Sequence, residues 1–276
     1  MDKPLVIYHG NCADGFSAAW CFHHKDTDAY DFHPGVYQQT PPNVEGRDVL
    51  LIDFSYKRPV VEDMLTKARS ITLIDHHKSA IDDLKPLLDT KAIAGFTDIE
   101  HSGAMLAWQY LFGDTAPPKI LEHVEDRDLW RFSLPGTSQI QASIFSYEYT
   151  FANWDKLMKS TPKELFDDGL AIERKHMKDI RELLAVTTRK MCIAGHVVPV
   201  ANLPYTMSSE AAHILAENQP FAACYYDGTE YRIFSLRSKP NGMDVSEIAM
   251  QYGGGGHKHA SGFRYPLNRV HELEIS

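Results

Sequence analysis

The sequence predicts an α/β protein: an N-terminal doubly wound, mostly parallel sheet, a helical connector, and a smaller C-terminal α/β domain. Three observations carry this. Short apolar runs alternate with helical patterns through the first half of the chain. A long, charged, helical stretch over residues 162–190 interrupts the alternation. Strand patterns then resume and lead to a glycine run at 253–256. The expected divisions are 1–136, 137–190 and 191–276.

The elements follow in order. Residues 5–8 (LVIY) read as a buried strand and 16–24 as the helix after it. Residues 29–33, 49–52 (VLLI), 71–74 (ITLI) and 92–96 read as further strands. Residues 58–69 have helical spacing, with Pro59 suited to a first turn. Gly103–Phe112 is helical. The long helix opens on Thr161, Pro162 and Glu164, a capping-box start. Beyond it, 193–200, 221–226 and 231–236 read as strands and 245–252 as a helix.

The composition bounds the function. The chain has 276 residues, 43% of them hydrophobic and 24% charged, which excludes a disordered chain. No apolar run approaches the roughly 18 residues of a membrane span, and the N-terminus lacks the pattern of a signal peptide. The net charge of −9 (28 − 37) and the absence of a basic run disfavour long nucleic acid and anionic membranes, but not a short anionic substrate. Cys12, Cys21, Cys192 and Cys224 are scattered, with no CxxC pair. This argues against a disulfide framework or structural zinc and for a cytoplasmic setting.

Three apolar strands end in candidate metal ligands. The first runs into His9, with Cys12 and Asp14 just beyond; the third ends at Asp53; the fourth ends at Asp75, followed by His76 and His77. Strand carboxyl ends of a parallel sheet share one edge, where ligands bind. Asp126 and Asp128, in HVEDRDLW, could close the site. Imidazole with several carboxylates suits Mn²⁺, Mg²⁺ or Fe²⁺ better than a structural zinc. Two ions roughly 3.5–4 Å apart, sharing a carboxylate, would activate water and clamp a phosphoryl group.

Together HGNCADG at 9–15, DFS at 53–55, DHH at 75–77 and GGGGHKHASGF at 253–263 resemble the DHH family of phosphoesterases, in members with a C-terminal DHH-associated domain. The resemblance spans nearly the whole chain. It implies metal ligation by His9, Asp14, Asp53, Asp75, His76 and Asp128, with Asp126 in reserve. It makes Asp53 the bridge between ions and turns His77 toward the scissile phosphate, so that Asp53, Asp75 and His77 form the catalytic group. Cys12 stands where the family has an aspartate; it is either a softer ligand, favouring Fe²⁺ or Zn²⁺, or a small residue in a tight turn.

In the second domain, Arg237 offers a fork for phosphate, and Gly254, Gly255, Gly256 and His257 a nest that grips substrate. The function implied is hydrolysis, by metal-activated water, of dinucleotides such as pGpG or of oligoribonucleotides of a few units. The cofactor is Mn²⁺, one or two ions, with Mg²⁺, Fe²⁺ or Co²⁺ as alternatives. Rival readings are an exopolyphosphatase or pyrophosphatase, a 3′-phosphoadenosine 5′-phosphate phosphatase, and a catalytically degenerate nucleotide sensor. The partner is a short nucleotide, with no long nucleic acid and no membrane; a homodimer is compatible. The aromatic segment FSYEYTFANW at 145–154 fits core packing better than base stacking.

Overall fold

Alternate residues of each apolar run turn to opposite faces of one parallel sheet, and both faces are covered. In chain order the elements are β1 (Leu5–His9), α1 (Ala13–Lys25), β2 (Asp31–Gly35), β3 (Asp48–Ile52), α2 (Arg58–Leu65), β4 (Ser70–Asp75), α3 (Lys78–Asp89), β5 (Ala94–Thr97) and α4 (Gly103–Phe112). All pairings are parallel, in the order β2-β1-β3-β4-β5. Val6, Leu50, Ile52 and Ile74 pack on one face with α1 and α4. Leu5, Ile7, Val49, Leu51, Ile71 and Leu73 pack on the other with Val61, Met64 and Leu84 of α2 and α3. Burial on both faces is why these strands read as continuous apolar runs.

The order places β1 beside β3. The chain leaves β1 into a helix on one face and β3 into a helix on the other. Their divergence opens a crevice at the strand carboxyl ends. His9, Asp53 and Asp75 stand at that edge.

The computed structural model describes residues 2–10, 12–37 and 39–274. Three helices follow α4: α5 (Lys119–Asp128), α6 (Thr137–Phe145) and α7 (Phe151–Leu157). The chain then enters α8 (Pro162–Thr187). Contacts divide the chain into two units, Met1–Glu173 and Arg174–Ser276, so the division falls inside α8. Where the sequence suggests a connector over 137–190, Ile140, Ile144, Trp154, Leu157, Met158 and Leu165 join the first unit's core. Trp154 is fully buried, and its indole N–H donates to Ser17 Oγ at 2.9 Å. Phe151 stacks on Phe16 and on His23.

The second unit continues with β6 (Thr188–Ile193), β7 (His196–Asn202), α9 (Ser208–Leu215), β8 (Ala222–Asp227), β9 (Tyr231–Arg237), α10 (Val245–Gln251), β10 (Gly255–His257) and β11 (Ala260–Pro266). The sheet order is β10-β11-β9-β8-β7-β6; it is antiparallel except between β7 and β8. The strand expected at 193–200 is instead a hairpin. Ala194 and Gly195 both take positive φ, 51° and 80°, the two-residue turn that matches strand twist. No helix among the described residues is long and apolar enough to cross a membrane.

Candidate metal centre

β1 delivers His9 to the sheet edge, and the turn after it makes Cys12 the N-cap of α1, with Asp14 in the first turn. The Asp14 oxygens accept from the backbone N–H groups of Gly103 (2.7 Å) and Ala104 (3.1 Å). These donors open α4 and have no partner within their own helix, so the carboxylate is held by an N-terminus that favours negative charge. Asp53 follows β3 with φ 52°, a left-handed conformation that aspartate tolerates better than most side chains. Its N–H donates to Ile74 O at 2.9 Å, which extends the ladder by one residue before the chain turns.

Asp75 ends β4. Its Oδ1 accepts from the N–H groups of His76 (2.8 Å) and His77 (3.1 Å) and lies 2.7 Å from His77 Nδ1. A carboxylate oxygen only accepts, so His77 Nδ1 carries the proton in that contact.

These residues converge. His9, Cys12 and Asp53 each offer a ligand atom within 4.8 Å of the others, as do Asp14, His76 and Asp128, and also Asp53, Asp75, His76 and His77. Asp53 lies between the first two groups: Oδ2 is 3.5 Å from His9 Nδ1, and Oδ1 is 3.1 Å from His76 Nε2. His76 Nε2 also lies 3.5 Å from Asp128 Oδ2 and 3.8 Å from Asp14 Oδ2. Among the described residues, Asp53 Oδ2, Asp75 Oδ2 and Asp128 Oδ2 are buried without a hydrogen-bond partner. Buried anionic oxygens left in this state are costly unless a cation completes them. The donor set, carboxylates with imidazole and one thiol, fits a divalent ion, and two such ions could share Asp53.

Protons compete for the same atoms. Burial opposes charge on His9 and His76, but the nearby Asp53 carboxylate and the surrounding charges outweigh it and hold both rings well above the ordinary imidazole value. Burial likewise opposes charge on Asp53, yet its hydrogen bond with His76 and the nearby His9 and His77 rings bring it below the carboxylate range. Burial and mutual repulsion push Asp14 and Asp128 upward.

The raised groups bind protons more tightly in the folded state. Their contribution to stability is full below the unfolded values and is lost as pH rises through the folded ones. A divalent ion must displace those protons. The expected result is a melting midpoint of the metal-free protein that falls as pH rises above about 6.5, the ordinary imidazole value. Over the same range the Mn²⁺ affinity rises, by about tenfold per pH unit for each proton displaced. Calorimetric titration across that range checks it; an affinity independent of pH contradicts it.

Asp126, the reserve ligand, is otherwise engaged. Its oxygens accept from Ser133 N and Oγ (2.8 and 2.7 Å), Leu134 N (3.0 Å) and Thr137 Oγ1 (2.6 Å), which pins the loop after α5. Two helical positions decide the difference: residues two apart face different ways. The expected phosphate-gripping residues belong to the second unit. Arg237 ends β9, and its guanidinium donates to Ser209 Oγ at 2.7 Å. Arg237 and His257 both lie opposite Ala260 in the β9-β11-β10 ladder, so they share one end of that sheet. Gly255, Gly256 and His257 form β10 itself, and a Cβ at Gly254 would meet the Gly262 carbonyl oxygen at 2.1 Å. The glycine run therefore has a packing reason of its own.

Several neighbours of the centre were not singled out from sequence. A Cβ on Gly103 would lie 2.4 Å from Asp53 Cβ, and one on Gly15 would lie 2.5 Å from the His9 carbonyl oxygen. The Tyr37 ring sits 5.2 Å from His9, edge to face. Ser102 caps the start of α4, its Oγ accepting from Met105 N at 3.3 Å.

No family model matches the chain. An uncharacterised protein of Acanthamoeba polyphaga mimivirus is 27% identical over 292 residues, covering 95% of this chain and 67% of its own. The pGpG-specific phosphodiesterase PggH from Vibrio cholerae matches with a TM-score of 0.50 at 13% identity, over 98% of this chain and 96% of its own. RecJ from Thermus thermophilus, in complex with Mn²⁺, gives a TM-score of 0.46 at 14% identity, over 98% of this chain and 50% of its own. The likeness to the Vibrio enzyme is one of fold.

Proposed function

We propose that this chain, whose fold is that of the DHH phosphoesterases, is a divalent-metal-dependent hydrolase of phosphodiester bonds in short nucleotides, dinucleotides such as pGpG or oligoribonucleotides of a few units. The observation that carries the reading is Asp53, set between two ligand groups with buried, unsatisfied carboxylate oxygens around it. An acidic chain supports a compact substrate over a long strand.

In this reading His9, Cys12 and Asp53 hold one ion, and Asp14, Asp53, His76 and Asp128 the other, with Asp75 completing the set. A divalent ion bound there supplies Lewis acidity, which acidifies water and neutralises charge on phosphoryl oxygens. Asp75 Oδ1 fixes the His77 ring through Nδ1–H, 2.7 Å away, so that Nε2 is the atom available to orient the phosphate or hand a proton to the leaving oxygen. Helix α4 holds Asp14 through Gly103 and Ala104, so that ligand needs no reorganisation. Arg237, Gly254, Gly255, Gly256 and His257 bind the rest of the substrate.

The test is product formation in Mn²⁺ from pGpG, short RNA, cyclic dinucleotides, 3′-phosphoadenosine 5′-phosphate and polyphosphate, with Asp75→Ala as the blank. Turnover of pGpG or short RNA, lost by about 10³-fold or more in Asp75→Ala, is expected. Activity that survives this change contradicts the site; tight dinucleotide binding without turnover in any divalent ion favours a sensor.

Cys12 has its own signature. Co²⁺ loaded on the wild type should show a near-ultraviolet sulfur-to-metal charge-transfer band, absent in Cys12→Ser and Cys12→Asp. The same spectrum in all three makes Cys12 a spectator.

A further inference from the structure

Beside the candidate metal centre one buried side-chain amide has no hydrogen-bond partner among the described residues. Gln141 of α6 is 3% exposed, and its Nε2 has no hydrogen-bond partner. Gln141 lines a cavity of about 40 Å³ together with Cys12, Asp14, Asp128, Arg127 and Phe145. That volume admits one to a few water-sized groups, too little for a nucleobase and enough for an oxygen or two. Three of its walls are the candidate ligands themselves.

The surroundings are built rather than incidental. The Arg127 guanidinium lies 4.8 Å from the Trp130 ring and 5.4 Å from Phe145, so its charge is held beside Asp128. Trp130 and Phe132 take φ of 55° and 47°, on the loop that Asp126 pins. Left-handed aromatic residues persist only where surrounding contacts enforce them, and they gather at functional sites. A leucine at 141 would fill the same volume without an orphaned donor, so packing alone does not call for glutamine.

We infer that Gln141 is a substrate-contacting residue, its amide donating a hydrogen bond to a ribose-phosphate oxygen next to the reacting phosphorus. This rests on the phosphodiester reading above. The amide N–H donates and needs an acceptor; in a cavity this small the acceptors such a substrate offers are a non-bridging phosphoryl oxygen or a ribose hydroxyl.

The experiment compares wild type, Gln141→Leu and Gln141→Met on pGpG and on its 2′-deoxy counterpart in Mn²⁺. Both variants should keep the Mn²⁺ stoichiometry and melt at or above the wild-type midpoint, because an unsatisfied donor has been removed. Both should lose about 10- to 100-fold in kcat/KM on pGpG. A loss confined to the ribose substrate identifies the hydroxyl; an equal loss on both identifies the phosphoryl oxygen. Unchanged kcat/KM in both variants overturns the assignment, as does loss of Mn²⁺ with a lowered midpoint, which would make Gln141 structural. Titration of pGpG into Ca²⁺-loaded protein needs no turnover and should weaken about tenfold in the variants. A wild type that binds but hydrolyses nothing sinks the enzyme reading, while the binding comparison still decides Gln141.

Discussion

Asp53→Asn lowers turnover by about 10³-fold or more, the rate equivalent of several kcal/mol of lost transition-state charge stabilisation. The reason is position. Its two oxygens reach both ligand groups, Oδ2 toward His9 at 3.5 Å and Oδ1 toward His76 at 3.1 Å. Asparagine keeps the shape and tolerates φ 52°, so the fold should survive. What would disappear is the negative charge that two cations sharing this residue would need to stand close together. Metal stoichiometry, measured by elemental analysis on dialysed protein, should fall with activity. Stoichiometry and rate both equal to wild type would remove Asp53 from the centre.

Gly103→Ala is expected to do comparable damage from a residue that touches neither metal nor substrate. The added methyl would lie 2.4 Å from Asp53 Cβ and 2.7 Å from its Cγ and Oδ1, and neither neighbour is free to move. Asp53 is 1% exposed, and the same glycine's N–H holds Asp14 at 2.7 Å. Relief requires shifting the start of α4 or displacing two candidate ligands. Overpacking of this kind costs about 1–3 kcal/mol of stability. Displaced ligand geometry costs about 10- to 100-fold in metal affinity. Calorimetry gives the first quantity and Mn²⁺ titration the second. A variant with wild-type Mn²⁺ affinity would show that the centre is looser than its contacts imply.

Much of the first unit's sheet was legible because its strands are buried on both faces. The runs at 5–8, 49–52 and 71–74 lie within β1, β3 and β4. The helix expected over Gly103–Phe112 coincides end to end with α4, whose Ser102 cap is a local signal. Less visible was α3, where Pro86 breaks the pattern although Leu84 packs on the sheet. Helices α6 and α7 were absorbed into an expected connector, because their few apolar residues acquire meaning only against α1 and α5. The hairpin at Ala194–Gly195 was missed because apolar residues continue on both sides of the turn.

The sequence by itself determined the candidate ligand types and the strand ends that carry them: His9, Cys12, Asp14, Asp53, Asp75, His76 and His77 lie at or just beyond the ends of apolar runs. Strand periodicity and chain order are local properties and can be read directly. Tertiary structure decided the rest. It selects Asp128 over Asp126, sets Gly103 against Asp53, and leaves the Gln141 amide facing a cavity rather than a partner. These depend on which surfaces meet across a hundred residues of chain, and burial turns such meetings into large energies that no short stretch of sequence encodes.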